Sequence, residues 1–322
     1  MPTSYKHFST DERESLLVML TKNWTQSEMA RELQRSESSI SRELRRNRGK
    51  KGEYSPAKAA DAYKQRRKNC GRPKKLNDPK LKKKVEERLE MNWSPEQIDG
   101  RFRLEIGVCQ ISYATIYRAY VNGELQVPKN CFRRKRRPAT PHNEEKRGRI
   151  HEYPSIHNRP KAAETKSERG HWEGDTVRGA QRRGALATFT DRKTKYLVAQ
   201  VMKDRKAETL NRHAEIAFSG FPKSRKRTFT VDHGNEFFSY KDFEKRVGTR
   251  VFFADPYASW QRGLNENTNG LLRQYYPKGF DFLNLSQSDL DAVVFQLNTR
   301  PRKTLGFRTP FEIFFKKSLH LY

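Results

Sequence analysis

In the first 120 positions, apolar residues recur at steps of three and four, the spacing that places them on one buried helical face. The first such seam consists of Met29, Ala30, Leu33, Ile40 and Leu44. Ser9 with Glu12 and Thr25 with Glu28 have the spacing of capping boxes, so a helix is expected to begin at each pair. A third helix is expected to begin near Ser36. The pattern therefore predicts a three-helix unit at the start of the chain.

The third predicted helix carries short hydroxyls and guanidinium groups on its other face. These candidates for DNA contact are Ser38, Ser39, Ser41, Arg42, Arg45 and Arg46. Side chains of this kind suit base edges and phosphates in a major groove, so the helix is interpreted as the recognition helix of a helix-turn-helix domain. A generic three-helix bundle with a charged surface is the alternative.

A second unit of the same kind is predicted around Ser94-Pro95-Glu96-Gln97, which combines an N-cap hydroxyl, a proline in the first turn and a capping-box glutamine. That helix is expected to run to about residue 105. Gly107 ends it, and Ser112 caps another helix over residues 113–120.

The last of these helices has an outward face with two further candidates for DNA contact, Thr115 and Arg118. Tyr117 and Tyr120 could contact DNA or belong to the core, and the core is favoured for both because tyrosines are often buried.

From His171 onward the period changes toward two, as in β-strands. The expected strands cover residues 171–177, 185–190, 195–202, 227–231 and 250–253, and the expected helices cover 207–218, 240–247 and a long segment from about 263. Three strands followed by alternating helices and strands is the order of a ribonuclease-H-like α/β domain with a mixed sheet. The fold class is therefore multidomain, with all-α helix-turn-helix modules before this catalytic domain.

Charge strengthens the DNA-binding interpretation. The net charge is +29 and the pI about 10.1, and residues 1–150 carry 36 basic against 19 acidic side chains. A polyanionic partner, nucleic acid first, follows from this excess, although a ribosomal protein or a membrane-surface binder would share it. Basic runs at 64–75 and 129–138 mark linkers that either tether domains or contact phosphates. The expected segments are 1–50 (helix-turn-helix), 51–75 (linker), 76–123 (second helix-turn-helix-like domain), 124–167 (linker) and 168–322 (catalytic core with C-terminal helices).

Some protein classes are disfavoured by composition. The longest apolar runs have about five residues, against the roughly 20 needed to span a bilayer, and no secretory signal is evident. No membrane association is expected, and an intracellular location is expected. Cys70, Cys109 and Cys131 form no C-x-x-C pair, which argues against a zinc finger or a disulfide framework.

Two aspartates end strands that would be neighbours in this topology. Asp175 ends the first strand and Asp232 the fourth, and Glu266 lies in the following long helix with 33 residues between it and Asp232. Phosphodiester chemistry needs charge neutralisation and an activated water or hydroxyl, which divalent ions held by carboxylates supply. Mg²⁺ is the expected cofactor, and Mn²⁺ would also suit.

Other polar residues near these carboxylates have several possible roles. Glu266, Asn269 and Arg273 share one helix face, so an amide and a guanidinium are expected to bind DNA phosphates beside a metal ligand. Glu173 points to the same side of its strand as Asp175 and is a rival or auxiliary ligand. Three further aspartates fit turn or cap roles better than catalysis. They are Asp191, Asp204 and Asp255.

With these motifs the chain resembles the DDE transposases of bacterial insertion sequences, specifically the IS-thirty-like family, whose catalytic core is of the integrase type. The resemblance covers most of the chain and depends on motifs at 40–47, 93–98, 172–176, 232–237, 256–266 and 297–310. It implies that Asp175, Asp232 and Glu266 form a metal-binding catalytic triad for DNA cleavage and 3′-hydroxyl transfer into target DNA. His233 stands where many relatives carry Asn, which would change a hydrogen bond in the site or add a weak ligand.

The resemblance also implies partners: the two N-terminal modules would bind terminal inverted repeats in double-stranded DNA, and a homodimer or higher oligomer would join two transposon ends. A DNA-binding repressor with a sensing or inactive C-terminal domain is the main alternative. The arrangements that a tyrosine or a serine recombinase needs are not evident, and a ribosomal or chromatin-like protein would not explain the carboxylates.

Overall fold

The structure, a computed structural model, describes residues 6–49, 52–71, 73–128, 131–132, 153–180, 183–256 and 258–322. It divides into two compact units, Met1–Lys74 and Lys75–Tyr322. Most of the basic run at 129–138 and the segment 133–152 of the expected second linker lie outside the described residues, as do Arg72 and Tyr257.

In its described residues, the first unit contains four helices: α1 (Thr10–Thr21), α2 (Gln26–Glu32), α3 (Glu37–Asn47) and α4 (Pro56–Lys68). Both predicted capping boxes are present, because the Ser9 and Thr25 side chains accept from the third helical amide while Glu12 and Glu28 return to the caps. The predicted seam is buried around Ile40, which has no exposed surface. The three-helix prediction is confirmed.

Helix α4 lies where the sequence predicted a linker over residues 51–75. The Ser55 side chain caps it, Pro56 occupies its first turn and Ala59 is fully buried in the core of the unit. Three basic residues in the last turn, Arg66 to Lys68, complement the negative end of the helix dipole. The basic composition concealed a helix because its one buried position is a small alanine.

The second unit begins with three more helices: α5 (Pro79–Glu90), α6 (Pro95–Ile106) and α7 (Tyr113–Val121). The capping box at Ser94 is present, and Gly107 ends α6 with a left-handed φ of 80°. Helix α5 was not predicted, yet its buried Leu81, Val85 and Leu89 pack with α6 and α7 in one core. These helices, with residues 75–125, are called the second helical module below.

The rest of the second unit is built on a five-stranded sheet. In chain order its elements are α8 (Lys161–Glu164), β1 (His171–Arg178), β2 (Ala185–Asp191), β3 (Leu197–Met202), α9 (Ala207–Phe218), β4 (Thr228–Val231), α10 (Tyr240–Val247), β5 (Arg250–Phe253), α11 (Gly263–Tyr275), α12 (Gln287–Thr299) and α13 (Pro310–Phe315). The strand order is β3-β2-β1-β4-β5. Strands β1 to β3 pair antiparallel, whereas β4 pairs parallel with β1 on one side and with β5 on the other. The mixed sheet and the predicted element order are therefore confirmed.

Each face of the sheet has its own core. Aromatic rings fill one face, where Trp172, Phe189 and Phe229 of the sheet meet Phe218 of α9 and Phe243 of α10. The other face packs on α11 and α12 through smaller apolar residues, among them Val177, Leu186, Leu197, Leu272 and Leu290. Asp232 directly follows β4, as expected, but Asp175 does not end β1, because β1 continues to pair with β2 as far as Arg178.

Part of the expected linker 124–167 belongs to this sheet domain. Ser155 forms a parallel bridge with Phe253, and the Tyr153 ring stacks 4.5 Å from the Phe253 ring. Residues 153–158 therefore cover the β5 edge, which would otherwise expose unpaired backbone groups.

The C-terminal segment joins the sheet domain to the second helical module. The Arg101 guanidinium of α6 donates to both carboxylate oxygens of Glu312 in α13, at 2.7 and 2.8 Å. Arg88 of α5 donates to the carbonyl of Leu321 at 2.7 and 3.0 Å. Within the described residues, no helix is long and apolar enough to cross a membrane.

Candidate active site

Strand β1 and the end of β4 bring Asp175 and Asp232 to one guanidinium. Arg262, in the turn before α11, places Nη2 2.9 Å from Asp232 Oδ2 and Nη1 3.8 Å from Asp175 Oδ1. The sequence predicted that these two aspartates are neighbours, and the parallel pairing of β1 with β4 explains why they are, because it ends two residues before each of them. Two carboxylates that share one cation form the centre of the candidate site.

Neighbouring groups orient both aspartates. Asn269 Nδ2 donates to Asp175 Oδ2 at 2.8 Å, and the Thr176 amide donates to Oδ1 at 2.8 Å. Asp232 Oδ1 accepts from the Gly234 amide at 2.9 Å. The Asp175 and Asp232 side chains nevertheless retain 27% and 33% of their exposure, so a ligand can reach them from solvent.

The surroundings of Asp175 shift its pKa. Burial raises the pKa of Asp175 to about 6; the Arg262 guanidinium opposes this rise, and the neighbouring Asp232 and Glu236 carboxylates add to it. A carboxyl in such surroundings gains from a nearby cation, because the cation stabilises its ionised form.

Glu266, the third expected carboxylate, lies in the first turn of α11 with an exposed side chain. Among the described residues, no three His, Cys, Asp or Glu side chains are grouped closely enough to hold a metal ion. The structure therefore brings two of the three expected ligands together and places the third on the helix that packs against β1 and β2. The two aspartates still fit a divalent cation in donor chemistry, since oxygen ligands suit it and a cationic group already stands between them.

Glu173 is engaged elsewhere and is not available as the auxiliary ligand that the sequence suggested. Its carboxylate pairs with Arg192 at 2.5 Å and accepts from the Asn265 amide at 3.0 Å, and the residue is 2% exposed. Residue spacing correctly placed Glu173 on the side of β1 that faces α11. The spacing could not show that Arg192, 19 residues later, would occupy the carboxylate.

Sequence reasoning missed two charged groups in the site. Arg262 was quoted only as part of a motif. Glu236 is buried, accepts from Thr176 Oγ1 at 2.6 Å and forms an ion pair with Arg205. Thr176 in turn accepts from Arg205 Nε at 2.9 Å, so this network supports the backbone next to Asp175. Both missed groups belong to motifs at 232–237 and 256–266, which was the available signal.

Comparison with known proteins matches this arrangement. A family model described as "Integrase core domain" matches residues 166–259, and one described as "Helix-turn-helix domain" matches residues 4–47. The transposase InsI for insertion sequence element IS30A of Escherichia coli (strain K12) is 37% identical, over 95% of this chain and 83% of its own length. The transposase for insertion sequence element IS1086 of Cupriavidus metallidurans is 35% identical, over 97% of this chain and 95% of its own length. The chain belongs to the IS30 family of insertion-sequence transposases.

Among solved structures, the catalytic core domain of BIV integrase aligns with 46% of this chain and 94% of its own, at 16% identity and a TM-score of 0.36. For the IS30-family chain described here, the integrase-core match and the observed mixed sheet together establish a nucleic-acid-handling enzyme of the transposase and integrase type. Enzymes with this core generally use divalent metal ions.

In this IS30-family transposase, α3 exposes most of the predicted DNA-binding face. Ser38, Ser41, Arg42, Arg45 and Arg46 are exposed, and Ser39 is half-buried. Arg42 Nε donates to the Ser38 carbonyl one turn earlier, at 2.9 Å, so part of this face is held by its own contacts. Its hydroxyls and guanidiniums are thus open to a ligand, as the sequence predicted.

In the second helical module, only one of the two predicted DNA-contact residues is exposed. Arg118 is exposed, whereas Thr115 is half-buried and its hydroxyl lies 2.9 Å from that of the cap residue Ser112. The core prediction was wrong for Tyr117, which is 37% exposed and donates its hydroxyl to Glu96. Tyr120 is half-buried, edge-on against Phe132.

The remaining site candidates have structural partners. Arg273 donates to the Arg178 carbonyl at 2.8 Å, and His233 Nε2 lies 2.9 Å from the Ala254 carbonyl, which fixes it as a donor there. The expected turn and cap roles hold for three aspartates: Asp191 accepts from Gly170 and Thr194, Asp204 from Lys206, and Asp255 contacts Gln261 and His157.

Proposed function

We propose that this transposase binds the terminal inverted repeats of its element, cleaves DNA at their ends and transfers the resulting 3′-hydroxyl into target DNA. The observation that carries the proposal is the convergence of Asp175 and Asp232, from two neighbouring parallel strands, on one cationic group. Helix α11, which carries Glu266 and Asn269, packs against the same strands.

In this proposal Asp175, Asp232 and Glu266 hold Mg²⁺, for which Mn²⁺ can substitute. When bound, such an ion neutralises charge at the phosphate and makes water or a hydroxyl a better nucleophile. Asn269 keeps Asp175 turned toward the site through its 2.8 Å hydrogen bond. Asn269 and Arg273 would also contact the DNA strand, although both have protein partners in the free protein.

DNA recognition is assigned to α3 and to α7. The exposed hydroxyls and guanidiniums of α3 would read base edges in a major groove, while Arg118, with Thr115 beside it, would contact the second part of the site. The charge of +29 would supply affinity for the DNA backbone. Joining two ends requires two bound copies, so a homodimer or higher oligomer is proposed for the active complex.

The test is cleavage and joining of labelled linear DNA that bears the element's own ends, with Mg²⁺, Mn²⁺ or EDTA. Asp175→Asn, Asp232→Asn and Glu266→Gln should each abolish product while leaving end binding intact. Glu208→Gln is the matched control, because Glu208 is also an exposed glutamate in the first turn of a helix in this domain. It should keep full activity.

A second function, repression by DNA binding alone, remains as the contrasting result. End binding by the wild type without any metal-dependent product would support it. Product that survives all three carboxylate variants would instead show that the chemistry depends on other residues.

A further inference from the structure

Arg262 occupies the position between the two aspartates where a cation is needed. Its side chain is only 14% exposed, and Nη1 also donates to the Gly174 carbonyl at 3.3 Å. Asp175 lies inside β1 and Asp232 directly follows β4, so two negative charges are held beside the same guanidinium. Without a positive charge nearby, their repulsion would destabilise the folded site.

The Arg262 guanidinium makes fewer hydrogen bonds than that of Arg101, which has a structural role in the same chain. Arg101 directs Nε, Nη1 and Nη2 to Glu105, Glu312 and backbone carbonyls, and both Glu312 oxygens are engaged. For Arg262, the buried Nε has no acceptor among the residues that the structure describes. Its approach to Asp175 is 3.8 Å, longer than a hydrogen bond.

Position in the chain also separates these two arginines. Arg101 lies inside α6, whereas Arg262 ends a single 3₁₀ turn, Ser259–Arg262, just before α11. The Arg262 side chain can leave the aspartates by a change of rotamer that breaks only its contacts with Asp232, Asp175 and the Gly174 carbonyl. The backbone of Asp175, by contrast, is held by the pairing of β1 with β2.

From these contacts we propose that Arg262 is an internal counter-cation: it neutralises Asp175 and Asp232 in the metal-free protein and leaves them when a divalent cation binds. The inference depends on the proposed function for the existence of that metal site. A guanidinium and a divalent cation would repel each other strongly between the same two carboxylates. Binding of the ion and pairing of Arg262 are therefore competitive.

The test is Mn²⁺ binding to the full-length protein without DNA, measured by calorimetry. Arg262→Gln removes the charge and keeps a polar side chain, so Mn²⁺ should bind on the order of tenfold more tightly than in wild type, which corresponds to about 1.4 kcal/mol. Arg262→Lys keeps the competing charge and should stay close to wild type. Arg178→Gln is the matched control, because it removes an exposed charge from the same strand as Asp175 and should change affinity less than about twofold.

Thermal unfolding gives a second measurement. In EDTA, Arg262→Gln should unfold at a lower temperature than wild type, and Mg²⁺ should raise its Tm by more than it raises that of wild type. In an Asp232→Asn background, the effect of Arg262→Gln on Tm in EDTA should be much smaller, because the two residues form one pair.

The outcomes separate the two proposals. Unchanged or weaker Mn²⁺ binding in Arg262→Gln, with binding still dependent on Asp175 and Asp232, would overturn the role of Arg262 alone. If Arg262→Gln changed the Tm in EDTA equally with and without Asp232→Asn, the role would be overturned too. Arg262 would then act on the overall charge of the protein and not on Asp232. If Asp175→Asn and Asp232→Asn left the affinity for Mn²⁺ unchanged, the proposed metal site itself would be contradicted.

Discussion

Glu173 accepts a hydrogen bond from the backbone amide of Asn265 at 3.0 Å and so joins the first strand of the sheet to the start of α11. The amides of a first helical turn lack partners within the helix, and a carboxylate there also favours the helix dipole. The other Glu173 oxygen pairs with buried Arg192. One buried carboxylate thus anchors the helix that carries Glu266.

Replacing Glu173 by Gln should destabilise the protein by roughly 3 kcal/mol, because Arg192 would keep a buried charge without its partner. Urea unfolding followed by circular dichroism measures this change. Glu266→Gln is the control, and it should leave the unfolding free energy within about 0.5 kcal/mol of wild type because its side chain is exposed. Wild-type stability of Glu173→Gln would show that the anchor is dispensable.

Gly100 allows the second helical module to approach the sheet domain. A Cβ at this position would lie 2.3 Å from the Phe307 ring, closer than real contacts allow. Although alanine favours a helix interior by about 1 kcal/mol over glycine, Gly100→Ala should destabilise the protein by about 1 to 3 kcal/mol through overpacking. A lower Tm in thermal unfolding would support this. Gly100→Ala with Phe307→Ala should recover part of the loss, and no recovery would indicate that the clash is not the cause.

The Arg101–Glu312 pair should make the free energy of unfolding depend on pH. Burial of Glu312 would raise its pKa, but hydrogen bonds from Arg101 and from the Leu319 and Thr309 amides lower it from 4.5 to about 2. A lowered pKa in the folded state stabilises the protein above pH 4.5, and this contribution is lost as pH falls toward about 2. The interval from 4.5 to about 2, at about 1.36 kcal/mol per pH unit, corresponds to about 3 kcal/mol.

Unfolding free energies measured between pH 6 and pH 3 would test this contribution. Glu312→Gln should be less stable than wild type at pH 6, and the difference between the two should shrink as pH falls. A difference that stays constant over this range would mean that ionisation of Glu312 contributes nothing.

The exposed face of α3 should determine affinity for transposon ends. Arg45→Ala and Arg46→Ala should each weaken binding to transposon ends. If the side chain contacts a base edge, the loss should be about 1 to 3 kcal/mol. If it contacts a phosphate, the slope of log affinity against log salt concentration should become smaller by about one. Fluorescence anisotropy at several salt concentrations distinguishes these cases. The control is Arg31→Ala, which removes an exposed arginine from α2. A loss as large as that of the α3 variants would point to general charge rather than recognition.

Local signals in the sequence predicted most elements well. Capping boxes at Ser9, Thr25 and Ser94 marked helix starts, because a cap depends on residues only three positions apart. The strands β1, β2 and β5 were predicted to within one residue of each end. Helices α4 and α5 were missed since many Lys and Arg residues hid their few buried positions, such as Ala59 and Val85.

By itself, the sequence determined the order of the strands along the chain, the basic charge and the positions of Asp175, Asp232 and Glu266 on elements that a mixed sheet would bring together. Tertiary structure alone decided which charged residues form pairs: Arg192 forms an ion pair with Glu173, and Arg262 lies between the two aspartates. Such pairings join residues 19 to 87 positions apart. Local patterns cannot specify them, because the partner of a buried charge is chosen by the packing of whole strands and helices.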